Sequence, residues 1–118
     1  MSKIFEIVDP IKYEKFVVDL NKIAGELGLI INKNELLSVL AAADYYRDPR
    51  DKISCIVRGL IKNHVFSNGN KRTACLAFLL LAKSGNFSLK FSKERLKDVI
   101  LDIATHNYQV DEISKMLF

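Results

Sequence analysis

The chain has 118 residues, 49% hydrophobic and 27% charged, with a formal net charge of +4 and two cysteines. That balance fits one globular domain over 1–118 with a sizeable core, and excludes a disordered, collagen-like or disulfide-framed chain. The ten-residue segment 73–82, apolar after Thr73, falls short of the roughly 20 residues a bilayer span needs, and Met1-Ser2-Lys3-Ile4-Phe5-Glu6 has no secretory pattern, so a cytoplasmic protein is expected.

The apolar period is helical nearly throughout, which predicts an all-α bundle of about six helices around a buried central helix. Asp9-Pro10 starts the first, whose stripe is Phe16, Val17, Leu20, Ile23, Ala24 and Leu27, and Gly28 ends it. Asn32 with Glu35 resembles a capping box opening the second, through Leu36, Leu37, Val39, Leu40, Ala43 and Tyr46. Asp48-Pro49 opens the third, which turns Ile53, Ile56, Val57, Leu60 and Ile61 inward. The segment from Thr73 to about Ser84 is apolar all round and is predicted to be the buried central helix, stopped by Gly85. Cys55 and Cys75 fall in such helical patterns and read as free core thiols. Ser92 caps a fifth helix carrying Leu96, Val99, Ile100 and Ile103, and a short sixth carries Val110, Ile113, Met116 and Leu117.

Charge is placed unevenly. Up to Leu60 nine cations balance nine acids, whereas 61–97 holds eight cations and one acid. That excess surrounds the polar loop His64-Val65-Phe66-Ser67-Asn68-Gly69-Asn70-Lys71-Arg72, which runs into the central helix. A helix N-terminus offers unpaired N–H groups and a partial positive charge, and Asn-Gly-Asn can bend the backbone into an anion nest. Lys71 and Arg72 in the first turn oppose the helix dipole, so helix stability does not explain them and a bound polyphosphate does. A histidine such as His64 can accept a proton from a hydroxyl attacking that phosphate. Asn68 offers an amide oxygen to a Mg²⁺ carried by a nucleotide, and Phe66 is the expected buried anchor. Asn-Gly is also a common turn, and on spacing alone a plain helix–helix connection with a solvated histidine stays open.

His64-x-Phe66-x-Asn68-Gly69-Asn70-Lys71-Arg72-Thr73-Ala74 resembles the signature of the Fic/Doc family, in its death-on-curing (Doc) branch. The Fic form reads H-P-F-x-[D/E]-G-N-G-R, and Lys71 replaces its second glycine as in the Doc branch. The resemblance implies an all-α Fic/Doc fold and an enzyme that uses ATP with Mg²⁺. It would transfer the terminal phosphate to a Ser/Thr hydroxyl of a translation protein, elongation factor Tu in Doc toxins. It implies His64 as general base, Gly69, Asn70, Lys71 and Arg72 on the phosphates with Lys71 and Arg72 also stabilising transferred charge, and Phe66 as structural. Asn68 departs from the family's Asp or Glu and would be a weak metal ligand. The alternatives are Fic-type AMP transfer, or an inactive relative that binds nucleotide or nucleic acid. None of the six Glu is followed by Gly or Asn, so the family's inhibitory helix motif is missing and restraint by an antitoxin in trans is expected. No polar recognition helix is evident, so nucleic acid is not the expected partner, nor is a membrane. The connector Asp44-Tyr45-Tyr46-Arg47-Asp48-Pro49-Arg50 is the expected target-clamping flap, with an ordinary helix–helix turn as the alternative.

Overall fold

The structure, a computed structural model, describes residues 10–118. Its elements are α1 (Pro10–Ile23), α2 (Lys33–Tyr45), α3 (Pro49–Lys62), α4 (Asn70–Ser84), α5 (Lys93–Thr105) and α6 (Val110–Leu117). Local chemistry fixes several of the ends. The Asp48 carboxylate accepts from the Arg50 N–H at 2.9 Å, with Pro49 next in line. The Ser92 hydroxyl accepts from the Arg95 N–H at 3.2 Å. Asn32 stands at the α2 N-cap, but its side chain makes no cap bond, so the expected box with Glu35 does not form. A reciprocal bond of that kind occurs at α6, where Glu112 accepts from the Gln109 N–H at 2.9 Å. The Asp9 start signal lies outside the described residues.

The first helix is shorter than its apolar stripe suggests. α1 stops at Ile23, because Gly25 takes a left-handed φ of 95°. The Gly25 N–H then donates to the Lys22 carbonyl and the Glu26 N–H to the Asn21 carbonyl, the paired bonds of a Schellman end. Leu27, read as part of the stripe, is left exposed beyond that end.

α3 lies at the centre and packs on α2, α4, α5 and α6. Its close approach to α2 depends on Gly59, where an added Cβ would lie 2.3 Å from Val39 Cγ2. α4 packs on α3, α1 and α5. It buries Thr73, Ala74, Ala77, Phe78, Leu81 and Ala82, but not its whole circumference. Cys75, Leu76 and Leu79 are half-buried and Leu80 is 45% exposed. Cys75, Leu76 and Leu79 line an open groove of about 640 Å³ with Ile23, Ala24, Leu96, Ile100 and Leu101. Cys75 is therefore a groove residue rather than a core one, and burial pushes its thiol pKa up. Among the described residues, no helix is long and apolar enough to cross a membrane.

Between α1 and α2 the chain runs extended and pairs with the loop before α4. Ile30 bridges Phe66 in antiparallel fashion, the Ile31 N–H donating to the Val65 carbonyl and the Ser67 N–H to the Leu29 carbonyl. This is the one place where the all-helical reading of the sequence gives way to β-type pairing among the described residues.

Tyr13 is fully buried and its hydroxyl finds no hydrogen-bond partner. Burial drives its pKa upward, and the nearby Cys55 adds to the shift. An unpaired buried hydroxyl is a net penalty of roughly 1–3 kcal/mol. Urea unfolding should therefore find Tyr13→Phe as stable as the parent or more so, whereas Gly59→Ala should lose about 1–3 kcal/mol to overpacking. A clear loss in Tyr13→Phe would mean that the hydroxyl has a partner.

Candidate active site

The site begins where α3 ends. His64 adopts a left-handed φ of 48°, and the two residues that follow, Val65 and Phe66, turn into the core and are buried. The histidine is thereby left on the surface side while its neighbours anchor the loop. Asn70 closes the loop from the other end. Its Oδ1 accepts from the Phe66 N–H at 2.9 Å, and its Nδ2 donates to the Phe66 carbonyl at 2.9 Å. Gly69, at φ 76°, makes the reversal into α4, and the Thr73 N–H returns to the Gly69 carbonyl at 2.8 Å.

The N–H groups of Gly69, Asn70, Lys71 and Arg72 meet no acceptor among the described residues. They stand at the positive end of a 15-residue helix. A cleft of about 390 Å³ opens over them, lined also by His64, Ser67 and Asn68, with Ile61 beneath. The structure thus brings His64, Asn68, Gly69, Asn70, Lys71 and Arg72 to one cavity, and places Phe66 under it as the buried anchor. No described residue hydrogen-bonds the His64 ring, the Asn68 side-chain amide or the Lys71 ammonium, and all three residues line the cleft.

Two of these side chains already have protein partners. The Asn70 side chain is a loop clamp, and only its backbone N–H is available to a phosphate. Arg72 already has an anion. Its guanidinium forms an ion pair with Glu26 and donates to the Ala24 carbonyl at 3.1 Å. Of the two cations in the first turn, Arg72 thus has a partner in Glu26, while the Lys71 ammonium has none among the described residues.

The connector 44–50 does not serve as a flap beside this site. It precedes α3 whereas His64 follows it, and 14 helical residues separate the two ends by about 20 Å. Tyr45, 84% exposed, stacks edge-on against Tyr46 there. The segment that does flank the loop is Leu29–Ile31, through the pairing with Val65–Ser67. One edge of Ile30 carries that pairing, and its own N–H and carbonyl bond to no described residue.

The reading of the sequence missed Asn21 and Glu26. Asn21 is 1% exposed and bonds three segments. Its Nδ2 donates to the Asn68 carbonyl and to Thr73 Oγ1, both at 3.0 Å, and its Oδ1 accepts from the Gly28 N–H at 2.9 Å. A signal existed: Tyr13, Val17 and Asn21 recur every four residues, which puts a polar side chain on a buried stripe. Nothing in the sequence marks Glu26.

The Fic/DOC family model matches residues 14–82, which span α1 to most of α4 and the whole cleft. The chain belongs to the Fic/DOC family. It is similar to Toxin Doc of Mycolicibacterium smegmatis, 32% identical over 76 residues, an alignment covering 63% of this chain and 58% of that protein. The chain thus matches less than two thirds of that relative's length.

Gly69 combines a left-handed φ with close packing, since an added Cβ would lie 2.5 Å from Glu26 Cγ. Gly69→Ala should cost roughly 1–3 kcal/mol in urea unfolding from strain at that position. A change below a few tenths of a kcal/mol would show that the loop has another conformation open to it.

Proposed function

We propose that this protein is a Doc-like toxin that transfers the terminal phosphate of ATP to a Ser/Thr hydroxyl of a translation protein, elongation factor Tu being the first target to test. The observation that carries this reading is that His64 shares one cleft with the unpaired N–H groups at the head of α4. Phosphate oxygens fit those amides, and the Lys71 ammonium neutralises their charge. His64 takes the proton of the attacking hydroxyl as the new oxygen–phosphorus bond forms and the bridging bond to ADP breaks, so ADP leaves and the proton resides on the imidazole. A positioned base of this kind contributes about 10²–10⁴-fold. Arg72 joins the phosphates by exchanging Glu26 for them. AMP transfer is the less favoured chemistry, because the Lys71 side chain fills space that a glycine leaves open in the Fic form.

Mg²⁺ fits the cleft as an ion carried in by the nucleotide. The free side-chain oxygens there are Asn68 Oδ1 and the Ser67 hydroxyl, neutral donors without a carboxylate among the lining residues. Such a set orients a hard cation already bound to phosphate, and the ion supplies further charge neutralisation. An extended target segment can pair with the open edge of Ile30 and so hold its hydroxyl near His64. The groove along α4 suits restraint in trans. Its apolar floor and its cationic rim of Lys71, Arg72, Lys93 and Lys97 fit an acidic amphipathic helix of an antitoxin.

Incubation with elongation factor Tu and ATP labelled at the γ or the α position tests the reading. Label should pass from γ-ATP only and fall about 10²–10⁴-fold in His64→Ala. Transfer of the α label would assign the chemistry to AMP transfer, and equal transfer by both proteins would remove His64 from the base role.

A further inference from the structure

We infer that Asn21 is a positioning residue for phosphate binding, acting through the peptide between Asn68 and Gly69; the inference rests on the nucleotide site proposed above. A trans peptide is planar, with its carbonyl and its N–H pointing in opposite directions. Asn21 is buried under the loop, and its Nδ2 holds the Asn68 carbonyl at 3.0 Å. The Gly69 N–H belongs to the same peptide, so it is turned the opposite way, toward the cleft that Gly69 lines. Asn21 therefore sets the direction of the first donor in the anion nest without touching the ligand.

The geometry over-determines this placement. The second hydrogen on Nδ2 goes to Thr73 Oγ1 at 3.0 Å, and Thr73 is fully buried. The Asn21 Oδ1 accepts from the Gly28 N–H at 2.9 Å. Both N–H donors and the carbonyl oxygen of a fully buried amide thus have partners, and the side chain cannot rotate without leaving a polar atom unpaired. Gly28 and Gly69 both have left-handed φ values, 72° and 76°, so the two glycine turns flank one amide. Without the Asn21 donor, nothing among the described residues holds the Asn68 carbonyl inward. Flexible at Gly69, the peptide can then flip, aiming a carbonyl oxygen where phosphate should sit.

The amide separates two functions that a single substitution can distinguish. Asn21→Asp keeps the shape and the oxygen that accepts from Gly28 but removes both Nδ2 donors, the one to Asn68 included. Asn21→Ser keeps a neutral group too short to reach that carbonyl. Thr73→Val removes only the other Nδ2 bond and leaves the Asn68 carbonyl held. ATP affinity of all four proteins is measured calorimetrically, with thermal unfolding recorded for each. Both Asn21 variants should bind ATP about 10-fold or more weakly, the loss expected for one charge-assisted donor. Thr73→Val should bind as the parent does, even where its unfolding midpoint drops as far as theirs. Asn21→Ser gives the reading if the buried charge of Asn21→Asp prevents folding. Parent-like affinity in the Asn21 variants overturns the inference and leaves the site intact. Equal weakening in Thr73→Val also overturns it, since the effect would then be a general loosening of α1 against α4. A parent protein that does not bind ATP overturns the site reading itself.

Discussion

The Asn70 side chain and the Phe66 backbone form a closed pair of hydrogen bonds, and the functional surface is built on that closure. Phe66 is held in the core, so the amide that grips it cannot drift. Asn70 is also the first residue of α4, which means that the loop and the helix head move as one body. A flexible loop would lose ordering entropy on every binding event. This one keeps its amides aligned beforehand, which is what a preorganised anion site requires.

Electrostatics around the helix head follow from the same arrangement. Lys71 and Arg72 sit where the macrodipole repels cations, yet they are treated differently by the fold. Arg72 turns back toward the end of α1 and Glu26, while Lys71 stays exposed above the cleft. Solvent screens the pair on the Arg72 side, where the side chain is 60% exposed against 22% for Glu26, so its contribution to stability is modest. Its interest is geometric, because Glu26 lies against Gly69 and an anion at the proposed site would share Arg72 with it.

Much of the fold was legible because it is written locally. Pro49 after Asp48, Ser92 before α5 and Gly85 after Ser84 each announce a helix boundary through a bond made within a few residues. The cleft residues from His64 to Arg72 were legible too, since they fall within nine consecutive positions. What stayed hidden depends on distant pairing. The end of α1 at Ile23 rather than Gly28 comes from a left-handed Gly25 that the apolar stripe overrides on paper. The one-sided burial of α4 follows from neighbours that leave Cys75, Leu76, Leu79 and Leu80 partly or largely uncovered, a fact no periodicity encodes. Asn21 and Glu26 reach the signature across more than 40 residues of chain. The flap was sought in the polar connector before α3, whereas backbone pairing puts a less conspicuous stretch, Leu29–Ile31, beside the loop.

The central claim is that phosphate groups are received by the amides at the head of α4 with the imidazole of residue 64 alongside. Titrating uniformly ¹⁵N-labelled protein with ATP, and with tripolyphosphate as a base-free control, tests it directly. Both ligands should move the amide resonances of Gly69, Asn70, Lys71 and Arg72 most, together with the His64 ring signals. Shifts confined to the lysines of α5, with the amides of residues 69–72 unmoved at saturation, would contradict the account.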